Sequence, residues 1–284
     1  MTTDTRTFQF VQQLAANLKP DLDLPAFPQV VRRLQIALIS DQPTIKDIVN
    51  IISSEPVLSA RFMQMANSAA MNPGGTPVAS LNNAVNRLGF NLVRTVSTAF
   101  ALRQLSRDNS LGAIRPDLEQ VWKTSNEVAS ICYAVAKQAF GRQPDEALMA
   151  GLLHSIGRLY ILLHAHQNDP TLREDRAFAA TLETWQPIIG KAILEAWGLP
   201  QRICEAVENQ DYLLDGGSAD LEPLTRLLSA AKLRYRLDAE PELRLKHPDV
   251  ELLLNGVNLG TGSFMDLVAM GQADIANMRQ ALAA

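Results

Sequence analysis

The feature that most constrains the fold is a helical spacing of apolar residues, interrupted at short intervals by proline and glycine. Leu58, Phe62, Met65 and Ala69, for example, fall at positions i, i+4, i+7 and i+11. The Pro- and Gly-rich residues 73–77 then form a loop. Since apolar and polar residues do not alternate over the length of a strand, no β-sheet is expected. The sequence therefore predicts an all-α fold.

Capping signals divide this pattern into helices. Thr44 with Asp47 resembles a capping box that opens a helix over residues 45–52. Gly89 is expected to stop one helix before the next begins at residue 92. Ser263 with Asp266 resembles a second capping box, and the helix that it opens is expected to run towards Ala284.

A polar, turn-rich junction separates two predicted lobes. Residues 109–116 form this junction, which divides an N-terminal lobe (1–110) from a C-terminal lobe (117–284). In the second lobe we expect a long helix over residues 122–140 and a helical segment over residues 145–164. The sequence thus predicts a helical bundle in two lobes.

Charge and cysteine content exclude several classes of function. The net charge of −4 gives no bulk attraction to nucleic acid or to an anionic membrane. Cys132 and Cys204 both lie in helix-like runs and are expected to be buried, inert thiols. The N-terminus has no apolar signal-peptide core, and we expect no apolar run of about 18 residues that would span a bilayer. A cytoplasmic location is the expectation.

The most informative stretch is residues 151–157, which read Gly-Leu-Leu-His-Ser-Ile-Gly. Apolar or small residues surround it on nearly every face, and a helix of that kind is buried. His154 should therefore lie inside the protein or at an internal pocket. A lone buried histidine can be a hydrogen-bonded core residue or a ligand, and the former is favoured.

This stretch resembles the HD superfamily motif Gly-Leu-Leu-His-Asp-Ile-Gly, in which adjacent His and Asp bind metal. More specifically, the chain resembles the HDOD domain (HD-related output domain) of bacterial signalling proteins, from residue 24 to about residue 212. Residues 24–28, 55–69 and 80–89 match three segments of that family in order. The matching family-motif residues are Pro56, Asn67, Ser68, Trp122, Gly151, Gly157, Trp197 and Pro200. The resemblance implies an HD-domain-like helical bundle and a role in signal transduction.

The departures from the family pattern concern the metal ligands. HD hydrolases hold metal with an upstream His, the His-Asp pair and a later Asp, which suit Mn, Fe or Mg. Here Ser155 replaces the Asp of the pair, and no histidine precedes His154. The helix expected to carry the upstream His, residues 122–126, has no imidazole. Three acids are candidates for the later ligand and are expected on the surface: Asp211, Asp215 and Asp220. We therefore predict no metal, no cofactor and no catalytic residue.

Two polar segments have alternative interpretations. Asn67 and Ser68 interrupt an apolar helix and could contact a ligand or partner, but hydrogen bonding of Asn67 to neighbouring backbone is favoured. Residues 256–262 are glycine-rich and precede a helix, where anions bind readily. No strand precedes them and the P-loop lysine is missing, so an interhelical turn is favoured.

Charged residues elsewhere are expected to be solvated. The helices around Gly89 resemble a helix-turn-helix with Arg87, Arg94 and Arg103 nearby, but ordinary surface charge is favoured over a DNA footprint. Basic residues within 232–246 alternate with acids and indicate a solvated surface. His164 and His166 are expected at a fraying helix end and not to form a metal pair.

The leading hypothesis is a non-catalytic output module of signal transduction. It would contact other signalling proteins, such as a kinase, a response regulator or a cyclic-dinucleotide enzyme, or bind a small nucleotide in a pocket, with no membrane partner. Any sensor is expected to act in trans. The alternative is a metal-dependent phosphohydrolase in which Asp145 or Asp211 assists His154. A third hypothesis is a DNA-binding regulator, which predicts steeply salt-dependent binding.

Overall fold

The computed structural model describes residues 3–16, 28–40, 42–105, 107–140, 144–216 and 221–283. Across these ranges the ordered elements are helices, and the one β-type pairing is an isolated bridge between Asn258 and Ser263. The predicted all-α class is confirmed. Residues 24–27 of the family's opening segment and Asp220 lie outside the described residues.

The N-terminal part begins with five α-helices and follows the predicted caps. They are α1 (Thr3–Ala16), α2 (Gln29–Ile39), α3 (Ile45–Ser53), α4 (Pro56–Asn67) and α5 (Leu81–Leu105). The Thr44 side chain accepts a hydrogen bond from the Asp47 amide at 3.2 Å, which confirms the first capping box. Gly89 has a φ of 72°, so the backbone leaves helical geometry where the stop was predicted.

The central part contains the motif. A 3₁₀ turn (Asn109–Ile114) leads into α6 (Arg115–Ala139), α7 (Pro144–Leu153) and α8 (Ile156–Asn168). A second 3₁₀ turn (Pro170–Glu174) precedes α9 (Phe178–Ala196) and α10 (Gln201–Glu208). Helix α6 begins earlier than predicted because Pro116 occupies its first turn, where the missing N–H costs nothing.

The C-terminal part is a series of shorter helices. They are α11 (Pro223–Ala239), α12 (Leu243–Lys246), α13 (Val250–Asn255), α14 (Phe264–Met270) and α15 (Gln272–Ala283). Ser263 caps α14 through the Asp266 amide at 3.2 Å, as predicted. The prediction of a single last helix was wrong, since Gly271 separates α14 from α15. Residues 256–262 form the expected turn, in which the Asn258 side chain accepts from the Gly260 amide at 2.7 Å.

One continuous apolar cluster extends from α1 to α15, from Val11 to Leu282. Helix α1 packs against α9, where the rings of Phe8 and Trp185 meet edge to face with centroids 5.8 Å apart. The first helix thus contacts the predicted C-terminal lobe. The division at residues 109–116 stays a prediction.

The expectation that the three arginines near Gly89 are solvated was wrong for Arg94. Its side chain is buried and donates to the Leu38 carbonyl oxygen at 3.3 Å. Burial of the central arginine removes it from any surface that DNA could contact. Arg103 is half-buried and donates to the Ala283 carbonyl oxygen at 2.7 Å.

The motif-bearing stretch Pro144–Asn168 is long and apolar enough by composition to cross a bilayer, contrary to expectation. However, 89% of its most apolar window is buried inside the protein. A core position accounts for this composition because helices that are apolar all round occur in protein interiors. Cys132 and Cys204 are free and buried, as expected.

Candidate functional site

The His-Ser pair of the motif lies at a break between two helices. Helix α7 ends at Leu153 and α8 begins at Ile156, with Ser155 at φ −98° and ψ 11°. The sequence predicted one helical segment across this point, which was wrong. The burial of His154 was predicted correctly, since only 1% of the residue is exposed.

Two glycines bring neighbouring helices against this turn. A Cβ at Gly151 would lie 2.5 Å from the Cα of Ala129 on α6, and one at Gly157 would lie 2.1 Å from the Gln186 carbonyl oxygen on α9. Neither position can hold a larger residue without displacing backbone. These family-motif glycines therefore fix the distances between α7 and α6 and between α8 and α9.

Both ring nitrogens of His154 are engaged within the protein. Nδ1 lies 2.6 Å from the Gly151 carbonyl oxygen, and Nε2 lies 2.9 Å from the Ser155 hydroxyl. A carbonyl only accepts, so Nδ1 carries the proton and the Ser155 hydroxyl donates to Nε2. The nitrogen lone pair that a metal would need is thus occupied by Ser155.

A buried lysine lies beside this histidine. Lys232, on α11, is 6% exposed. Its ammonium donates to Asp211 Oδ2 at 2.6 Å and to Gln210 Oε1 at 2.9 Å. The Gln210 amide in turn donates to the His154 carbonyl oxygen at 3.0 Å. A chain of direct contacts therefore joins the motif, Gln210, Lys232 and Asp211.

This arrangement lowers the pKa of His154 to about 4. Burial is the main cause, because it disfavours the charged imidazolium, and the nearby positive charge of Lys232 acts in the same direction. The Gly151 hydrogen bond and Asp211 oppose the shift. His154 is therefore a neutral residue at physiological pH.

A pocket of 120 Å³ borders the histidine and is lined by paired charges. Arg158 pairs with Glu183 at 2.5 Å, and Arg236 pairs with Glu240 at 3.0 Å. Together with Lys232, the pocket holds more cationic than anionic side chains. Such a lining disfavours a divalent cation.

The residues do not fit the metal that HD relatives bind. Of the acids proposed as the later ligand, Asp211 is held by Lys232, and Asp215 is exposed. The expectation that Asp211 is a plain surface acid was wrong, since its side chain is 22% exposed and ion-paired. Among the described residues, no group of three or more His, Cys, Asp or Glu side chains converges as a metal site.

The helix that would carry the upstream histidine supplies only weak ligands. On α6 the Ser125 hydroxyl and the side-chain Oδ1 of Asn126 are buried without a hydrogen-bond partner among the described residues. Neutral hydroxyl and amide oxygens are far poorer ligands for Mn or Fe than imidazole and carboxylate.

The other family-motif residues have structural positions away from the His-Ser turn. Pro56 occupies the first turn of α4, and Asn67 bonds to both the amide and the carbonyl of Val78 at 2.7 and 3.0 Å. This pairing confirms that Asn67 fixes the loop that follows it. Four further motif residues lie on other elements: Ser68 ends α4, Trp122 is half-buried on α6, Trp197 ends α9, and Pro200 precedes α10.

The predicted fraying around His164 and His166 was wrong. Helix α8 continues to Asn168, and the His164 ring packs on Tyr160 with centroids 4.2 Å apart. The Nε2 of His166 lies 3.4 Å from the Ser110 carbonyl oxygen.

Lys232 and Gln210 are the site residues that the sequence analysis missed. Lys232 had been grouped with the solvated charges of residues 232–246. A signal was present, because on α11 Lys232 follows the small residues Ala230 and Ala231 and lies four residues after Leu228, on a helical face that is apolar.

Comparison with known proteins identifies the family. The HDOD domain family matches residues 24–213, and the chain belongs to this family. The structure is similar to a Shewanella amazonensis SB2B protein named “Putative metal-dependent phosphohydrolase”, with a TM-score of 0.64, 27% identity and coverage of 97% of this chain and 100% of that one. The fold is therefore HD-domain-like.

Two further relatives show how far the similarity extends. An HDOD domain protein of unknown function from Geobacter sulfurreducens is 18% identical, with a TM-score of 0.58 over 98% of this chain and 97% of that one. An uncharacterized protein of Treponema pallidum (strain Nichols) is 23% identical over an alignment of 247 residues that covers 80% of this chain. The chain spans 45% of the length of that relative.

Proposed function

We propose that this HDOD chain is a non-catalytic output module of signal transduction that acts by contacting other signalling proteins. The observation that carries the proposal is the Lys232–Asp211 ion pair beside His154. The ammonium of Lys232 and two guanidiniums supply positive charge in this pocket. The only histidine of the motif is neutral with both nitrogens bonded. In this proposal the chain keeps the fold of the family but not the ligands for a metal that would activate water in a hydrolase.

The partners that we propose are a kinase, a response regulator or a cyclic-dinucleotide enzyme, in the cytoplasm. Buried free thiols are compatible with a reducing compartment. Exposed apolar side chains on the helical surface are candidates for the contact, among them Ile36 on α2 (70% exposed) and Ile188 on α9 (46% exposed).

Pairwise two-hybrid assays against signalling proteins of the source genome test the contact. Ile36→Glu and Ile188→Glu, one on each predicted lobe, should abolish at least one interaction, and Glu174→Gln serves as an exposed control. Wild-type interactions that survive every exposed substitution on both lobes would contradict the proposal.

The alternative is a metal-dependent phosphohydrolase that uses His154 with Asp145 or Asp211. The similarity to the Shewanella protein named “Putative metal-dependent phosphohydrolase”, at 27% identity, favours it. Against it, burial raises the pKa of Asp145, with a further contribution from Glu146, and Asp211 is ion-paired. The two functions differ in whether the protein takes up metal.

A measurement of metal uptake distinguishes the output module from the phosphohydrolase. The protein is incubated with Mn, Fe, Ni or Mg, desalted and analysed by mass spectrometry, and hydrolysis of cyclic dinucleotides and phosphate monoesters is followed in parallel. We expect less than about a tenth of an equivalent of each metal. Near-stoichiometric metal and hydrolysis that both disappear in His154→Ala would establish the enzyme instead.

A further inference from the structure

A second, larger cavity lies far along the chain from the His-Ser motif, between α4 and the C-terminal end of α5. Its volume is 640 Å³, within the range of sites that enclose a small molecule. The polar lining includes Arg61 and Gln64 from α4, and Arg103, Gln104 and Arg107 from α5 and the turn after it. None of these residues belongs to the motif.

Arg61 is a buried guanidinium with spare hydrogen-bonding capacity. The residue is 7% exposed, and its Nη1 is buried without a hydrogen-bond partner among the described residues. Its Nη2 donates to the Leu282 carbonyl oxygen at 2.5 Å, which holds the group at the cavity. A buried donor left unpaired is costly, and native structures normally satisfy it.

The three arginines influence one another. Burial is the main cause that lowers the pKa of Arg61 to about 10, and the positive charges of Arg103 and Arg107 contribute to this shift. Guanidiniums that repel one another in a partly buried cavity are stabilised by an anion between them.

The cavity's own acid does not fill this role. Among the described residues of the lining, Asp108 is the single carboxylate, and it accepts from the Ser110 amide at 2.8 Å and from the Ser110 hydroxyl at 2.7 Å. It therefore caps the 3₁₀ turn that follows. The lining is cationic although the chain as a whole carries a charge of −4.

We propose that this cavity binds a phosphorylated small molecule of mononucleotide size, with its phosphate on Arg61 and Arg107. The planar guanidinium fork matches the geometry of phosphate oxygens and binds them in pairs. Val57, which is 62% exposed, offers an apolar surface for a ring. The side-chain amides of Gln64 and Gln104 provide donors and acceptors for the polar edge of a base.

The site also touches the C-terminal helix. Arg61 and Arg103 donate to the carbonyl oxygens of Leu282 and Ala283, at the end of α15. Binding of a phosphate by Arg61 would thus be coupled to the packing of α15 against α4 and α5. This ligand site goes beyond the proposed output role and does not depend on it.

Isothermal titration of the full chain with AMP, GMP, adenosine and inorganic phosphate tests the site. We expect AMP or GMP to bind with Kd below about 1 mM. Adenosine, which lacks the phosphate, should bind at least about tenfold more weakly, as should inorganic phosphate, which lacks the ring. Arg107→Gln, an exposed position that should fold normally, is expected to weaken nucleotide binding about tenfold.

Arg61→Gln should weaken nucleotide binding further, and Arg176→Gln, an exposed arginine outside the cavity, should leave it unchanged. Three results would each overturn the proposal: no binding of either nucleotide at millimolar concentration, equal affinity for adenosine and AMP, or unchanged affinity in Arg107→Gln. If inorganic phosphate binds as tightly as AMP, the assignment of a ligand of mononucleotide size is overturned. Two-hybrid contacts are measured separately, so failure here is distinguishable from failure of the output role.

Discussion

At the residue scale, Lys232 changes the chemistry that the family motif would otherwise support. A lysine is rarely buried unless its charge is paired, and here Asp211 and Gln210 satisfy the ammonium. The same group lies in the pocket of His154, where its positive charge adds to the effect of burial in keeping that imidazole neutral. One side chain thus stabilises the turn and disfavours a metal in it.

Replacement of this lysine should destabilise the fold. Lys232→Met leaves Asp211 charged, partly buried and unpaired, and we expect the free energy of unfolding in urea to fall by about 2 kcal/mol. Lys191→Met is the matched control, because its partner Glu208 is more exposed than Asp211 and the expected loss is below about 1 kcal/mol. Equal losses in the two variants would refute a special role for Lys232.

His154 should make stability depend on pH. Its pKa is about 4 in the folded protein, whereas an unfolded histidine titrates near 6.5. Between these values the unfolded chain binds more protons, so the free energy of unfolding should decrease as pH falls from about 6.5 to about 4. The full loss is of the order of 3 kcal/mol, and above pH 6.5 the contribution is fully present.

Urea unfolding of wild type and His154→Gln at several pH values isolates this contribution. Burial also lowers the pKa of His164, which adds a loss in the same direction to both proteins. The difference between wild type and variant should therefore narrow as pH falls through this window. A constant difference would show that His154 titrates normally in the folded state.

At the element scale, the sequence predicted helix ends correctly at three positions with a local capping signal, but it missed the break at Gly271. Thr44, Ser263 and Gly89 act as predicted, because caps and positive-φ glycines depend on neighbouring residues alone. The break at His154 and Ser155 has no such marker, since apolar residues continue on both sides. Contacts with Gln210 on another segment hold that turn, and periodicity cannot reveal them.

The close approach of α8 and α9 depends on Gly157. A Cβ there would meet backbone atoms of Gln186 and Gly190 at 2.1 and 2.6 Å, so Gly157→Ala must push the two helices apart. We expect a loss of about 3 kcal/mol in the free energy of unfolding. Gly112→Ala has no heavy atom within 4 Å of the new Cβ and should change stability little. Comparable losses in both variants would mean that α8 and α9 are not tightly packed at Gly157.

At the scale of the whole molecule, one continuous apolar core extends through both predicted lobes. The sequence located a polar junction at residues 109–116, but it could not show that α1 packs on α9, because such contacts join residues far apart in the chain. Apolar side chains from both sides of the junction share one cluster. Lobes that share a core are expected to unfold together.

The distribution of tryptophan makes this expectation testable. Trp122, Trp185 and Trp197 are the three tryptophans of the chain, and all lie after the junction. Trp122 and Trp197 therefore report on the C-terminal lobe, and Trp185 also reports on the packing of α1 through its contact with Phe8. Far-UV circular dichroism reports on helices of both lobes. We expect the two urea transitions to coincide, since exposing α1 and α5 would strip apolar contacts from α9 and α7. A circular-dichroism transition that begins at lower urea in a Trp185→Phe variant, with the fluorescence of Trp122 and Trp197 unchanged, would instead show that the N-terminal lobe opens alone. The arginine cavity between α4 and α5 would then lie on the less stable part of the molecule.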